Sequence, residues 1–244
     1  MQEKSKNILK NVLIIAYVCF AILSFVIILV IPGSRKVFEN LSTGHPYIMG
    51  FVKFALLATA GELIAGIIVN GKPTVPVKVI WRFIIWGLIG IWITFMMKVF
   101  SNAAGYMMQQ GIIPGGDSKF LRALYTSVFM NTSFGPTFMA IHKCTDKFLE
   151  LRAKKEPANL SAVIKGIDWT KFVSFTLLIT VPCFWIPAHT VMFMLPQQYQ
   201  VMMAAGLSVA LGIILSFGNR KKPIKASEEN QSNESQEIQS KESE

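Results

Sequence analysis

Long runs of apolar residues, separated by short connections rich in Lys, Gly or Pro, dominate the hydrophobic and polar pattern of this chain. The uncharged run over residues 12–31 has the roughly 20 residues that an α-helix needs to cross about 30 Å of hydrocarbon. Five further runs approach that length. We predict six membrane-spanning helices, over residues 12–31, 48–69, 80–97, 123–141, 172–195 and 201–217. The pattern therefore indicates an all-α fold, a polytopic membrane helix bundle over residues 12–217.

The run over residues 172–195 leaves an alternative open, because Pro182 and Pro187 interrupt it. It either crosses the membrane fully or enters and returns on the same side. A re-entrant segment would place the basic residues near the C-terminus on the outer side, where basic residues are usually depleted.

The distribution of Lys and Arg favours six spans with both termini in the cytoplasm. In that topology 18 of the 24 basic residues fall in cytoplasmic segments, five fall outside and Lys53 lies within a span. Cytoplasmic segments collect Lys and Arg, so the count predicts the orientation.

Composition supports a membrane protein and excludes several other classes. Hydrophobic residues make up 52% and charged residues 16% of the 244 positions, against roughly 25% charged in soluble domains. This composition excludes a disordered chain and a nucleic-acid binder. It also excludes a disulfide scaffold, because the chain has only three cysteines, Cys19, Cys144 and Cys183. The formal net charge of +10 is explained by cytoplasmic segments.

The two ends of the chain differ from the apolar centre. Residues 1–11 carry three lysines and are predicted to form a cytoplasmic N-terminus, and the run that follows is longer than a typical signal-peptide core. Residues 218–244 are rich in Ser, Glu, Gln, Asn and Lys, so we predict a disordered cytoplasmic tail.

Glu62 is the most informative polar residue, because an acid within a span is costly and usually faces a bundle interior or water. It shares a helical stripe with the small residues Ala55, Ala58 and Ala65. The carboxyl group could line a solute or proton pathway, or could hold two helices together. The sequence leaves both interpretations open.

Two basic residues within or beside spans are interpreted as structural. Lys53 lies near an outer boundary, and we expect its side chain to extend to the headgroups. Arg82 begins the third span and is expected to anchor it at the inner interface.

The fourth span carries a polar stripe and a proline. Ser127, Asn131, Gly135 and His142 fall on one helical face, and Pro136 lacks the amide hydrogen that the helix would use. Such breaks occur in pores and transporters, and also in helices that hydrogen-bond tightly to a neighbour. Both interpretations remain open here.

The fifth span repeats this arrangement, with two prolines and a stripe of hydroxyl and thiol groups. Carbonyls released by proline at that depth need a hydroxyl group, water or a cavity. The stripe consists of Thr176, Thr180, Cys183, Pro187 and Thr190.

Sequence motifs of catalysis are missing from this chain. It contains no HExxH, no GxSxG, no phosphate-binding glycine-rich loop and no Cys/His cluster at metal-ligand spacing. We therefore predict that the protein is not an enzyme and uses no cofactor or metal.

A series of short motifs follows in order between His45 and Phe217. They are His45-Pro46-Tyr47, Ala58 to Gly61 with Glu62, Arg82 with Gly87 and Gly90, Phe134-Gly135-Pro136, Trp185 with Pro187, Phe193, and Leu195 with Pro196. This order of residues resembles the Mpv/PMP family of peroxisomal and inner-mitochondrial membrane proteins. The family arginine after the last proline is absent, and the first span lies outside the match.

The resemblance implies a small, weakly selective pore for solutes, and a possible homo-oligomer. It also implies a peroxisomal or inner-mitochondrial membrane. The lysine-flanked first span and cytoplasmic tail favour a bacterial plasma membrane instead.

Two functions are therefore carried forward. The first is a membrane pore or channel for small solutes or ions, and the second is a structural or accessory membrane protein that packs with partners and transports nothing. An intramembrane enzyme that combines Glu62 with a histidine is the weakest hypothesis, because the sequence does not place His189 beside Glu62.

Overall fold

The computed structural model describes residues 2–70 and 79–218, which form helices joined by short connections and contain no strand. The predicted all-α fold is thus confirmed for this part of the chain. The disordered tail predicted over 218–244 lies, from residue 219 onward, outside the described residues. In chain order the helices are α1 (Gln2–Val30), α2 (Pro32–Gly44), α3 (Pro46–Asn70), α4 (Val79–Gln109), α5 (Lys119–Phe129), π1 (Met130–Phe134), α6 (Gly135–Lys154), α7 (Leu160–Lys165), α8 (Trp169–Lys171), π2 (Phe172–Trp185), α9 (Ile186–Phe193) and α10 (Gln197–Gly218).

Four helical segments of the described chain are long and apolar enough to cross a membrane. They are Asn11–Val30, Pro46–Asn70, Val79–Gln109 and Trp169–Phe193. The last segment has 25 residues, so its length and composition suffice for a full crossing. The predicted spans over 123–141 and 201–217 are helical in the structure, but they are not among these four segments.

Two helical regions extend beyond the predicted spans. The helix α2 lies in the connection after the first span and begins at Pro32. Proline is suited to the first position of a helix, because no amide hydrogen is needed there. α4 continues past residue 97 to Gln109 and ends where Gly111 adopts a φ of +70°. That backbone conformation is one that glycine adopts readily.

Close backbone approach joins α3 to α4 and to α10. A Cβ atom added to Gly50 would lie 2.8 Å from the carbonyl oxygen of Gly90, and one added to Gly61 would lie 2.7 Å from Val209 Cγ2. Small residues allow helices to pack this closely. Gly61, the residue before Glu62, packs against α10 in this way.

Both proline-bearing spans contain π-helical turns. π1 ends where the amide of Gly135 donates to the carbonyl of Met130, directly before Pro136. π2 contains Pro182 and ends where the amide of Ile186 donates to the carbonyl of Val181. The widened turns shift the hydrogen-bond ladder at the prolines, which is how a helix can continue past a residue without an amide hydrogen.

An apolar core lies in the middle of the bundle, where the central helices and the π1 segment meet. Phe54 and Met192 are each only 1% exposed. The buried core residues are Phe54, Ala58, Ile89, Ile93, Met97, Met130, Phe134, Met192, Val201, Ala204 and Ala205. α1 packs against α3 at the periphery, where the Tyr17 hydroxyl donates to the carbonyl of Leu56 at 3.0 Å.

Candidate functional site

A charged cluster joins α3, α4 and α6 at one end of the apolar core. Arg82 Nη1 lies 3.0 Å from Glu62 Oε1 and 2.9 Å from Asp146 Oδ1, so one guanidinium nitrogen donates to both carboxylates. The side chains of Arg82 and Glu62 are 17% and 21% exposed. Pairing in a mostly buried position is stronger than at a surface, and it compensates for the cost of placing Glu62 within a span.

His142 completes the charged cluster. Its Nε2 lies 3.5 Å from Asp146 Oδ2, and its ring lies 4.4 Å from that of Trp86 between centroids. The Trp86 indole N–H interacts with the Glu62 carboxylate, whereas the buried His142 Nδ1 has no hydrogen-bond partner among the described residues. The cluster therefore retains one unsatisfied polar atom on the His142 ring.

Glu62, His142 and Asp146 could geometrically hold a metal ion, because one ligand atom of each lies within 4.8 Å of the others. Arg82 already supplies a positive charge to both carboxylates in this arrangement. A divalent cation would compete with that guanidinium for the same oxygens. The arrangement thus favours an ion-pair latch between helices, which we call the inner charge cluster: Glu62, Arg82, His142 and Asp146.

A second polar group lies between α5, π1 and α9. Asn131 Nδ2 donates to the carbonyl of Ser127 at 2.8 Å and lies 3.0 Å from His189 Nδ1. Ser127 Oγ donates to the carbonyl of Ile186 at 2.8 Å, across to the other helix. Asn131 and Ser127 are buried, so these bonds tie the two proline-bearing helices together.

The structure separates residues that the sequence placed on one face. Asn131 meets His189, whereas His142 on the same predicted stripe joins the inner charge cluster. His189 and Glu62 belong to these two different groups. The intramembrane-enzyme hypothesis considered His189 as the partner of Glu62, but the histidine that the structure places within 4.8 Å of the Glu62 carboxylate is His142.

The other predicted candidates of the fourth and fifth spans serve local backbone needs. Thr180 Oγ1 donates to the carbonyl of Phe175 and Thr190 Oγ1 to that of Ile186. The remaining candidates differ in exposure: Gly135 is buried, Pro136 and Thr176 are half-buried, and Pro187 is exposed. Of the residues that carry the family resemblance, Trp185 lies 5.0 Å from the His189 ring between centroids.

A cavity of about 550 Å³ opens at the other end of the apolar core. Its walls come from α2, α3, α4 and α5 and from the turn between α9 and α10, and include Phe193 and Pro196 of the family resemblance. Four basic side chains line it: Lys53, Lys98, Lys119 and Arg122. None of the residues predicted from polar stripes is among these described lining residues: Glu62, Ser127, Asn131, Gly135, Pro136, His142, Thr176, Thr180, Cys183, Pro187 and Thr190.

Lys53 is buried beside this cavity and does not extend to the headgroups. Only 3% of the residue is exposed. Its Nζ donates to Ser42 Oγ at 2.8 Å and to the carbonyl of Gln198 at 2.9 Å, and lies 4.3 Å from the centre of the Phe38 ring. The expectation of a headgroup contact is therefore wrong, because α2 and the start of α10 cover this face of α3.

Sequence reasoning missed the cavity because its walls come from five separate parts of the chain. One signal was present: Lys53 is a charged residue within an apolar run, as Glu62 is. Intramembrane charges usually mark a functional position, and that rule applied equally to both residues.

Cavity, apolar core and inner charge cluster follow one another along the bundle. Along α3 the order is Lys53, Phe54, Ala58 and Glu62, and the reverse order of layers holds along α4.

Comparison with protein-family models, characterised proteins and solved structures returned no match.

Proposed function

We propose that this chain is an integral membrane protein that passes small solutes across a bilayer. The observation that carries the proposal is the 550 Å³ cavity, which holds basic and hydroxyl side chains within an apolar helix bundle. Lys53 lies seven residues past Pro46, or about 10 Å into the bundle along α3. A polar recess of that depth is expected of a solute route and not of a simple membrane anchor.

The arrangement corresponds to a closed route. Met97 lines the cavity, and it packs with Ile93, Met130 and Phe134 in the apolar core. Hydrophobic constrictions of this kind block water and solutes until the helices separate. The inner charge cluster then serves as a latch on the far side of the constriction.

The π-helical turns are suited to the movement that opening requires. π1 and π2 lie in the two helices that Asn131 and His189 join, and π-turns are weak points of a helix. Rotation of α6 about π1, which precedes it in the chain, would move Asp146 away from Arg82.

The proposed topology has six spans with both termini in the cytoplasm, which places the cavity outside and the inner charge cluster at the cytoplasmic side. The lysine distribution supports this orientation. A bacterial plasma membrane is the proposed location, and the resemblance to the Mpv/PMP family supports a small pore that could assemble as a homo-oligomer.

An accessory role remains the second candidate, and one observation favours it. Glu62 is paired with Arg82 and lies outside the cavity wall, as expected of a residue that holds helices together. In that case the protein would assemble with partner membrane proteins and the cavity would carry no flux.

Reconstitution in liposomes separates these functions. Release of trapped small solutes is measured for wild type, for Ser101→Trp, which fills the cavity, and for Val99→Trp on the exposed side of the same helix. We expect release by wild type and Val99→Trp, and at least a several-fold loss in Ser101→Trp. No release above empty liposomes by correctly inserted wild type, across voltage and pH, would overturn the proposal.

A further inference from the structure

The basic side chains of the cavity are distributed against the usual membrane trend. In the proposed topology only six of the 24 Lys and Arg residues lie outside the cytoplasmic segments. Four of these six line this cavity. Outer positions are normally poor in basic residues, so this concentration needs a local reason.

These four cations face no carboxylate within the cavity. Among the described residues that line it, none is Asp or Glu. The side chains that accompany them are neutral donors and acceptors: Ser42, Thr43, Ser101, Asn102, Gln197, Gln198 and Gln200. The recess thus combines positive charge with hydrogen-bond donors, which is the chemistry that recognises an oxyanion.

Lys53 gives the strongest single argument. Its Nζ donates to Ser42 Oγ and to the Gln198 carbonyl, and both of these oxygen partners are neutral. An ammonium group has three N–H donors, so one remains without an oxygen acceptor after these bonds, and its other neighbour, the Phe38 ring 4.3 Å from Nζ, is also neutral. A buried charge with no acidic partner is costly, and an anion in the cavity would offset that cost.

Arg122 and Lys98 line the same cavity as Lys53, and their contacts are also to neutral groups. Arg122 donates through Nε and Nη2 to the carbonyl of Ser101, at 3.2 and 3.1 Å, which fixes the guanidinium against α4. The group has five N–H donors, so several remain for a ligand. Lys98 Nζ lies 5.2 Å from the centre of the Tyr47 ring, a neutral contact.

We propose that this cavity binds a small anion that carries a phosphate or carboxylate group. The inference rests on the proposed function, which it deepens by giving the chemical class of the solute. A volume of about 550 Å³ is within the range of small-molecule sites. The same chemistry is offered by a soluble phosphate or carboxylate and by the headgroup of an anionic lipid.

Binding is tested on the full chain in a nonionic detergent, so the result does not depend on transport. The thermal unfolding temperature is recorded with inorganic phosphate and with citrate, against sodium chloride at matched ionic strength and against glucose. In a separate arm, phosphatidylglycerol is added to the micelles. We expect phosphate or citrate to stabilise the protein and chloride and glucose to leave it unchanged.

Variants locate the site. Lys98→Gln with Arg122→Gln removes two cavity cations, and Lys36→Gln removes an outer cation of α2 that does not line the cavity. We expect the paired variant to weaken binding about tenfold or more, since each charge-assisted bond contributes strongly, and Lys36→Gln to bind as wild type. Lys53→Met is included where it folds, with loss of binding expected.

The outcomes separate the two sources and the two proposals. Stabilisation by free phosphate or citrate, lost in the paired variant, assigns a soluble anion. Stabilisation by phosphatidylglycerol alone, also lost in that variant, assigns a lipid headgroup. Equal stabilisation of the paired variant and Lys36→Gln, or no stabilisation by any anion, would overturn the inference. Binding without liposome flux would leave the anion site intact and remove the transport proposal.

Discussion

Arg82 is the residue on which the inner charge cluster depends, because its guanidinium pairs with carboxylates of two different helices. Glu62 belongs to α3 and Asp146 to α6, and Arg82 Nη1 lies about 3 Å from both. Without this cation, two partly buried carboxylates would lie near each other with no compensating charge. The energetic effect of a substitution should therefore depend strongly on which member is removed.

Arg82→Gln is expected to lower the unfolding temperature more than Glu62→Gln. The arginine variant removes the cation that both carboxylates share and leaves Asp146 with only the His142 ring of this cluster, whereas the glutamate variant leaves Arg82 bonded to Asp146. Breaking a buried pair costs about 3–5 kcal/mol and an exposed one less than about 1 kcal/mol, and this partly buried cluster should fall between them. Thermal unfolding in detergent measures both variants. Equal effects would contradict a bridging role.

Glu62→Gln should also raise solute release if the cluster is a latch. Removing one of the two carboxylate bonds to Arg82 weakens closure while the cavity is unchanged. Liposome release is compared with that of Glu150→Gln, whose carboxylate pairs on the same helix with Lys147 and Lys154. Release that is unchanged in Glu62→Gln, with the fold intact, would assign the cluster to packing alone.

Asn131→Leu tests the polar group between the proline-bearing helices. The change removes the donor to the Ser127 carbonyl and the partner of His189. Interhelical hydrogen bonds in membranes contribute about 0.6–2 kcal/mol, so a fall of several degrees in unfolding temperature is expected. Thr132→Val is the control, because Thr132 is exposed and bonds only within its own helix, to Val128. Similar losses in both variants would contradict the interhelical role.

At the scale of elements, helix formation could be predicted and helix contacts could not. An apolar run satisfies its own backbone hydrogen bonds in lipid, so length and hydropathy suffice to place α3 or α4. Which residues meet across helices depends on rotation and tilt, and a single inserted π-turn rotates everything that follows it. Asn131 and His142 illustrate this, since Asn131 lies within π1, His142 lies beyond it in α6, and the two join different groups. Pro136 indicated the weak point, but not the direction of the rotation.

The contact between α3 and α4 yields a sharper prediction. In Gly90→Ala the new methyl group would overlap the Gly50 carbonyl oxygen, a backbone atom that cannot rotate away. The helices must separate, at a cost of about 1–3 kcal/mol. Gly206→Ala in α10 is the matched control, since nothing lies within 4 Å of its added Cβ. Unfolding temperatures should fall for the first variant and stay level or rise for the second. No difference between them would contradict the close α3–α4 approach.

At the scale of the whole molecule, the layers follow from where each polar group can be compensated. The cavity cations lie near one end of the bundle, the carboxylates of the inner charge cluster lie near the other, and apolar residues fill the middle. Charges at the centre would have neither water nor a partner, so the apolar core is also the energetic barrier of the proposed route. Function then requires the two ends to face opposite sides of a membrane.

That requirement can be tested by cysteine labelling. After Cys19, Cys144 and Cys183 are replaced by alanine, single cysteines are introduced at Gln110, near the cavity end, and at Pro157, beyond α6. A membrane-impermeant maleimide on intact cells should label Gln110→Cys but not Pro157→Cys, and both variants should be labelled in permeabilised cells.

Reversed labelling would place the basic cavity on the cytoplasmic side and remove the argument from the positive-inside trend. Labelling of both positions from outside would show that the segment 119–154 does not cross, in which case the cavity and the inner charge cluster could not form one transmembrane route.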